Sequence, residues 1–133
     1  WFEGTREGAS DVKIKILHNE KIITYDSGML SSNGMIYPHW NPVLFSLNNK
    51  DFMFFKVGSF CDRWNTFIAD VTDLENIKCQ QLPAGINGCV KNKPLIIGNK
   101  IVCGSSVETE FNWTSYIETF SYDENTQFVC FYI

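Results

Sequence analysis

Arginine is scarce in this sequence: Arg6 and Arg63 are the only two among 133 residues. The lysines are scattered and the formal net charge is −4. Neither a nucleic-acid surface nor an anionic-membrane surface is expected from such a balance. No apolar run approaches the roughly 18–20 residues that a membrane-crossing helix requires. Histidine is sparse too, and His18 and His39 stand far from any cysteine pair. There is no C-x-x-C spacing, so the sequence calls for no metal and no cofactor. The five cysteines (Cys61, Cys79, Cys89, Cys103 and Cys130) are irregularly spaced among apolar neighbours. An odd count in that setting predicts reduced, buried thiols rather than a disulfide framework. Nothing in the residues assigns a cellular compartment.

What is present reads as one domain rich in short strands. The chain is 44% hydrophobic and 15% aromatic, which places it among globular rather than disordered sequences. Helical periodicity is nearly absent. Val12, Ile14 and Ile16 alternate with Lys13 and Lys15, the period-two pattern of a half-buried strand. Lys21–Tyr25 follows across a polar turn at His18-Asn19-Glu20. Pro42–Ser46 and Phe52–Val57 flank Leu47-Asn48-Asn49-Lys50-Asp51 and read as a hairpin. Thr66–Val71 and a weaker strand near Lys78–Leu82 complete this group. Phe128–Ile133 closes the sequence as an apolar, β-rich run with no turn after it. Cut strands leave unpaired edges, so the expectation is a fragment of a longer chain, marginal by itself and prone to associate.

The same order recurs about fifty residues later, a spacing typical of a four-stranded propeller blade. Pro94–Ile97 and Lys100–Cys103 flank Gly98-Asn99, and Thr114–Ser121 and Phe128–Ile133 flank Tyr122–Gln127. Asn41-Pro42 corresponds to Lys93-Pro94, Trp64 to Trp113, Ile68 to Ile117, and Asp73 to Asp123. Recurrence once per unit marks Trp64 and Trp113 as packing residues. Ser121-Tyr122-Asp123-Glu124-Asn125-Thr126-Gln127-Phe128 has the outline of an Asp-box, S-x-D-x-G-x-T-W, with Asn125 in place of glycine. Asn tolerates the left-handed backbone that this position requires. Asp73 and Asp123 are therefore expected to bond turn amides. The fold expected is all-β: three consecutive antiparallel sheets, the first incomplete.

Several stretches resemble the sialidase-like Asp-box (BNR-type) β-propeller family. They are Trp1–Val12, His39–Phe45 and Phe55–Gly58, followed by Leu82–Ile86 leading into Lys91–Pro94, and Ser105–Glu108. The resemblance implies a partial propeller of about two and three-quarter blades, divided approximately at 1–30, 38–84 and 90–133, from a six-bladed parent. It implies a glycosidase that hydrolyses terminal sialic acid, with three arginines gripping the sugar carboxylate, an Asp acid/base and a Tyr–Glu nucleophile pair. With Arg6 and Arg63 its only arginines, the chain has no recognisable triad.

Topology locates a candidate site without help from the family. In an up-and-down blade, the loop between the second and third strands opens on the same face as the interblade loop. The second-to-third loops hold Arg6, Glu7 and Asp11, then Lys56 to Arg63, then Ser105, Ser106 and Glu108. The interblade loops hold His39, Trp40 and Asn41, and later Lys91, Asn92 and Lys93. Glycoside hydrolysis uses two carboxyl groups flanking the bond, for which Glu7, Asp11 and Glu108 are the candidates. Arg6, His39, Trp40, Asn41, Lys56, Arg63, Lys91, Asn92 and Lys93 are the candidate substrate-binding residues, offering cations, amides and aromatic planes. The Asp73 and Asp123 turns belong to the opposite face. Two classes stay open: a fragment of a glycoside hydrolase acting on glycans, acidic sugars among them, or a non-catalytic carbohydrate-binding or interaction propeller, including an inactive remnant. The partners implied are a carbohydrate and the missing blades.

Overall fold

The computed structural model describes residues 1–28, 36–60 and 63–125, and the backbone alone of 128–132. Eleven strands form three antiparallel sheets, and no α-helix occurs among the described residues. Sheet one holds β1 (Phe2–Glu3), β2 (Lys13–His18) and β3 (Lys21–Tyr25), paired in chain order. Sheet two holds β4 (His39–Leu47), β5 (Lys50–Val57), β6 (Asn65–Asp70) and β7 (Lys78–Gln81). Sheet three holds β8 (Leu95–Ile97), β9 (Lys100–Glu108), β10 (Trp113–Asp123) and β11 (Phe128–Tyr132). The two four-stranded sheets share one up-and-down order, as the recurrence predicts.

Local chemistry sets the turns. Leu47 pairs with Lys50 across Asn48 and Asn49, whose φ angles of 51° and 60° make a two-residue turn of the kind whose twist matches the flanking strands. His18 pairs with Lys21 across Asn19 and Glu20 in the same way, with φ of 49° and 65°. Between Ile97 and Lys100 only Gly98 takes a positive φ, 61°. At the same end as the Asn48 turn, Asp73 Oδ1 accepts from Glu75 N at 3.0 Å and Asp123 Oδ1 from Asn125 N at 2.9 Å. The aspartates thus hold their turns by bonding amides two residues on. Asn48 Nδ2 donates to Glu124 Oε1 at 2.8 Å, tying the turns of sheets two and three together. Thr126 and Gln127 of the Asp-box lie outside the described residues.

Sheet two is the middle layer. Met53, Phe55, Val57, Phe67 and Ala69 pack with Ile14 of sheet one. Val43, Phe45, Phe52, Phe54 and Ile68 pack with Ile101, Cys103, Phe120 and Tyr122 of sheet three. Strand β5 is therefore covered on both faces, and Phe52–Val57 is a continuous buried run instead of an alternating one. A bulge lies in β4: Trp40 pairs with Lys56 but Val43 with Phe54, so β4 carries one residue more than β5 between these pairs.

Two expectations are corrected. Cys89 and Cys103 are buried in the core as expected, but they form a disulfide, with Cα atoms 4.9 Å apart. Irregular spacing in sequence hid a pair that the 82–94 connection brings face to face with β9. Cys79 is a free thiol; Cys61 and the side chain of Cys130 lie outside the described residues. Trp113 is not a packing residue: it is 54% exposed. Its strand parity is that of Ile117, which is 68% exposed although its repeat counterpart Ile68 is 3% exposed. The same pattern holds between Val43 at 4% and Leu95 at 63%. Equivalent positions differ because sheet two has a neighbour on that side and sheet three has none among the described residues.

Phe54→Ala is expected to lower unfolding free energy by about 3–5 kcal/mol in urea titrations. Ile117→Ser is expected to change it by under about 0.5 kcal/mol while reducing self-association in sedimentation velocity runs. The disulfide closes a loop with a sequence separation of 14. Its removal by Cys103→Ser is expected to cost roughly 2–4 kcal/mol, read from the same titrations without reductant.

Candidate functional site

The segment from Leu82 to Pro94, which connects β7 to β8, runs across one end of sheets two and three. Asn87 is its anchor. The Asn87 backbone amide donates to both carboxylate oxygens of Glu118 on β10, each at 3.1 Å, and its side-chain amide bonds the Tyr116 hydroxyl. The Asn87 carbonyl accepts from Lys56 Nζ and, at 3.2 Å, from Thr66 Oγ1. Gly88 O accepts from the Ser105 hydroxyl. Gly88 itself has φ of 60°, and a Cβ there would stand 2.8 Å from the Phe54 ring, so no other residue fits without displacement. One irregular segment thereby joins β5, β6, β9 and β10.

Lys56 is 1% exposed. Its Nζ also donates to Thr66 Oγ1 at 2.8 Å. Burial lowers its pKa to about 7, partly opposed by the Glu118 carboxylate. Removal of an ammonium from water disfavours the charged form, so this amine is poised between its two protonation states at neutral pH.

Three recesses surround Val90. The first, about 220 Å³, is lined by Lys56, Trp64, Asn87, Ser106 and Glu108 among others. The second, about 270 Å³, is bordered by Trp1, Phe2, Asn41, Pro42 and Lys91. The third, about 430 Å³, is bordered by Lys91, Asn92, Gly104, Trp113 and Ile117 among others. Lys91 Nζ stands 5.3 Å from the centre of the Trp113 ring, a cation–π contact. Lys56 and Glu108 thus share one recess, Asn41 and Lys91 a second, and Lys91 and Asn92 a third. No group of three or more His, Cys, Asp or Glu side chains capable of holding a metal occurs among the described residues.

The remaining candidates sit as follows. Asp11 accepts from Thr5 N and from Thr5 Oγ1, both at 3.0 Å, so its two oxygens hold the 4–12 loop together. Arg6 and Glu7 are exposed on that loop, which lies over Trp40, since a Cβ on Gly8 would be 3.9 Å from the indole. Trp40 is buried, donating from Nε1 to Gly58 O at 2.7 Å and packing against Trp64 at 5.6 Å. Arg63 and Lys93 are exposed and border none of the three recesses. His39 is a correction: placed in a loop from the sequence, it starts β4 and is fully buried, stacked on Phe55 at 5.9 Å. Its Nε2 accepts from Ser27 N at 3.0 Å, so the proton is on Nδ1, which donates to Tyr37 O at 3.2 Å. With both ring nitrogens engaged inside the fold, His39 has no face for a ligand.

A family profile described as "BNR repeat-like domain" matches residues 1–128. The chain belongs to the BNR repeat-like family. Neither a curated protein nor a solved structure matches the chain. As a member of this family, the all-β arrangement of three antiparallel sheets fits a β-propeller.

Asn87, Tyr116 and Glu118 went unnoticed in the sequence, although they hold the BNR repeat-like chain together beneath the recesses. The only signal was the Gly85-Ile86-Asn87-Gly88 punctuation, since the partners are about thirty residues away. Burial lowers the His39 pKa to about 4, reinforced by Lys13 and opposed by Asp26. Between that value and the ordinary 6.5 the unfolded chain binds a proton that the folded chain refuses, so stability falls as pH drops through this window. Relative to His39→Gln, the wild-type chain is expected to lose on the order of 3 kcal/mol from pH 7 to 4 in urea unfolding.

Proposed function

We propose that this chain is part of a sialidase-like propeller whose parent hydrolyses glycosidic bonds in glycans, acidic sugars included. The observation that carries the reading is the recess lined jointly by Lys56, Trp64, Asn87, Ser106 and Glu108. A cation from β5, an indole beside the start of β6, an amide from the 82–94 segment, and a hydroxyl and a carboxylate from β9 meet there, the mixture that sugar recognition uses. Glu108 is the proposed general acid, with Glu7 of the 4–12 loop as the second proposed carboxylate. Lys91, Asn92 and Asn41 extend the binding surface, and Arg6, Arg63 and Lys93 lie on the loops around it. The three sheets are the proposed adjacent blades, divided near 1–30, 38–84 and 90–133. Exposed Leu95, Ile97 and Ile117 stand where sheet two has buried Val43, Phe45 and Ile68. That difference supports a further blade of the parent as the partner of sheet three, in a six-bladed ring.

One observation favours a second reading, a carbohydrate-binding propeller without turnover. Asp11, a candidate acid, spends both carboxylate oxygens on Thr5.

A panel of aryl glycosides and aryl glycuronides, assayed with the parent-length protein, separates the two. Glu108→Gln is expected to lower the hydrolytic rate by about a hundredfold or more, with an unfolding shift under about 0.5 kcal/mol. Sugar binding without hydrolysis of any member would establish the binding reading instead.

A further inference from the structure

Of the twelve asparagines in the sequence, Asn112 alone is followed two residues later by Ser or Thr with no proline between, in Asn112-Trp113-Thr114. Asn-x-Thr is the acceptor pattern for asparagine-linked glycans, provided that the asparagine can be reached. The structure meets that condition. Residues 109–112 turn the chain from β9 into β10, and Thr109 closes the turn. Its amide donates to Asn112 O at 2.8 Å, and its hydroxyl accepts from Asn112 N at 3.1 Å. Neither contact uses the Asn112 carboxamide, and Asn112 is exposed. Thr114, the second residue of β10, is exposed as well.

The Cys89–Cys103 disulfide, buried in the core, bears on where the chain folds. Cytosolic reductants keep thiols unpaired, whereas the compartments of the secretory route pair them. That route is also where glycans are joined to asparagine. Phe111, next to the acceptor, is 84% exposed. The C–H face of a first sugar lying against this ring would remove apolar area from water.

We infer that Asn112 is the acceptor of an asparagine-linked glycan, added in an oxidising compartment from a polyprenyl-diphosphate oligosaccharide. A bond forms between the Asn112 carboxamide nitrogen and the anomeric carbon of the first sugar. The bond from that carbon to the diphosphate oxygen breaks, and the polyprenyl diphosphate leaves with the electron pair. One amide proton is released to solvent. Thr114 supplies the hydroxyl that the transferase recognises. The inference is independent of the glycan reading above, because here the sugar is attached to the chain instead of held in a recess.

The full chain is translated in vitro behind a cleavable secretory leader, with microsomes present. An upward shift in apparent mass that peptide-N-glycosidase reverses is expected, leaving an aspartate at position 112 in the digested peptide. Asn112→Gln and Thr114→Ala are expected to lose the shift completely, while Thr114→Ser keeps it. Transfer takes place as the chain enters the microsome, so the shift does not depend on whether a variant folds. The shifted band, mapped without reductant, is expected to contain the Cys89–Cys103 bond. No glycosidase-sensitive shift, or one that survives in Asn112→Gln, would overturn the proposal. A shifted band in which Cys89 and Cys103 are wholly reduced would overturn it too, since the glycan would then be confined to misfolded chain. In protein taken from its natural source, glycan on Asn112 upholds the assignment and an unmodified Asn112 overturns it.

Discussion

Strand β5 gives up water on both of its faces, and the positions of the two outer sheets follow from that. Met53, Phe55 and Val57 point one way and Phe52 and Phe54 the other, each set meeting side chains of a different sheet. A strand with apolar groups on both sides is stable only between two layers. Among the described residues, sheet one and sheet three each pack on sheet two, sheet one through β4 as well as β5. The polar end of β5 inherits the arrangement: Lys56 has the parity of Phe54 and so enters the interface with sheet three, where it needs oxygen partners. Thr66 and Asn87 supply them. The buried amine is a by-product of the apolar layer, and the recess above it is what the irregular 82–94 segment leaves open.

That segment explains why polar groups cluster at one end of the sheets. It carries no regular ladder, so its backbone amides and carbonyls must find partners elsewhere. Glu118, Lys56, Thr66 and Ser105 meet that demand from four different strands. At the opposite end the connections are short turns that satisfy themselves through Asn48-Asn49, Gly98, Asp73 and Asp123. Chemistry is concentrated where the backbone could not close on itself.

The sheets and their order were legible in the sequence because they depend on local signals. Alternation in Val12–Ile16, the Asn48-Asn49 and Gly98-Asn99 turns, and the recurrence of Asp73 as Asp123 each fix structure within a few residues. The strand ends were less legible: β9 runs on to Glu108, well past Cys103, because its pairing with β10 extends to Trp113. The candidate site was only partly legible. Lys56, Glu108, Asn41, Lys91 and Asn92 were singled out by loop topology and do border recesses. His39 was misplaced because the bulge and the Ser27 and Tyr37 contacts that bury it are not encoded in its neighbours. The Cys89–Cys103 bond and the Asn87–Glu118 contacts are long-range pairings, and one sequence has no pattern that announces them. Trp113 misled for a different reason: its repeat position predicts burial only where a neighbouring sheet exists.

The bulge in β4 has an effect on how this protein can change. Residues three apart on a strand normally face opposite ways. The extra residue between Trp40 and Val43 lets both pair with same-parity positions of β5, Lys56 and Phe54. Asn41, with φ of 45°, takes up the irregularity. The bulge works as a phase shifter: it uncouples the side-chain rhythm of the rim from that of the core. New side chains at Pro42, and at Asn41 those few that tolerate a positive φ, alter the wall of the Lys91 recess without disturbing Val43, Phe45 and Leu47. Loss of a single residue there would set the two rhythms against each other, turning either Trp40 or the core triplet to the wrong side. Variation at this rim is therefore open to substitution and closed to deletion.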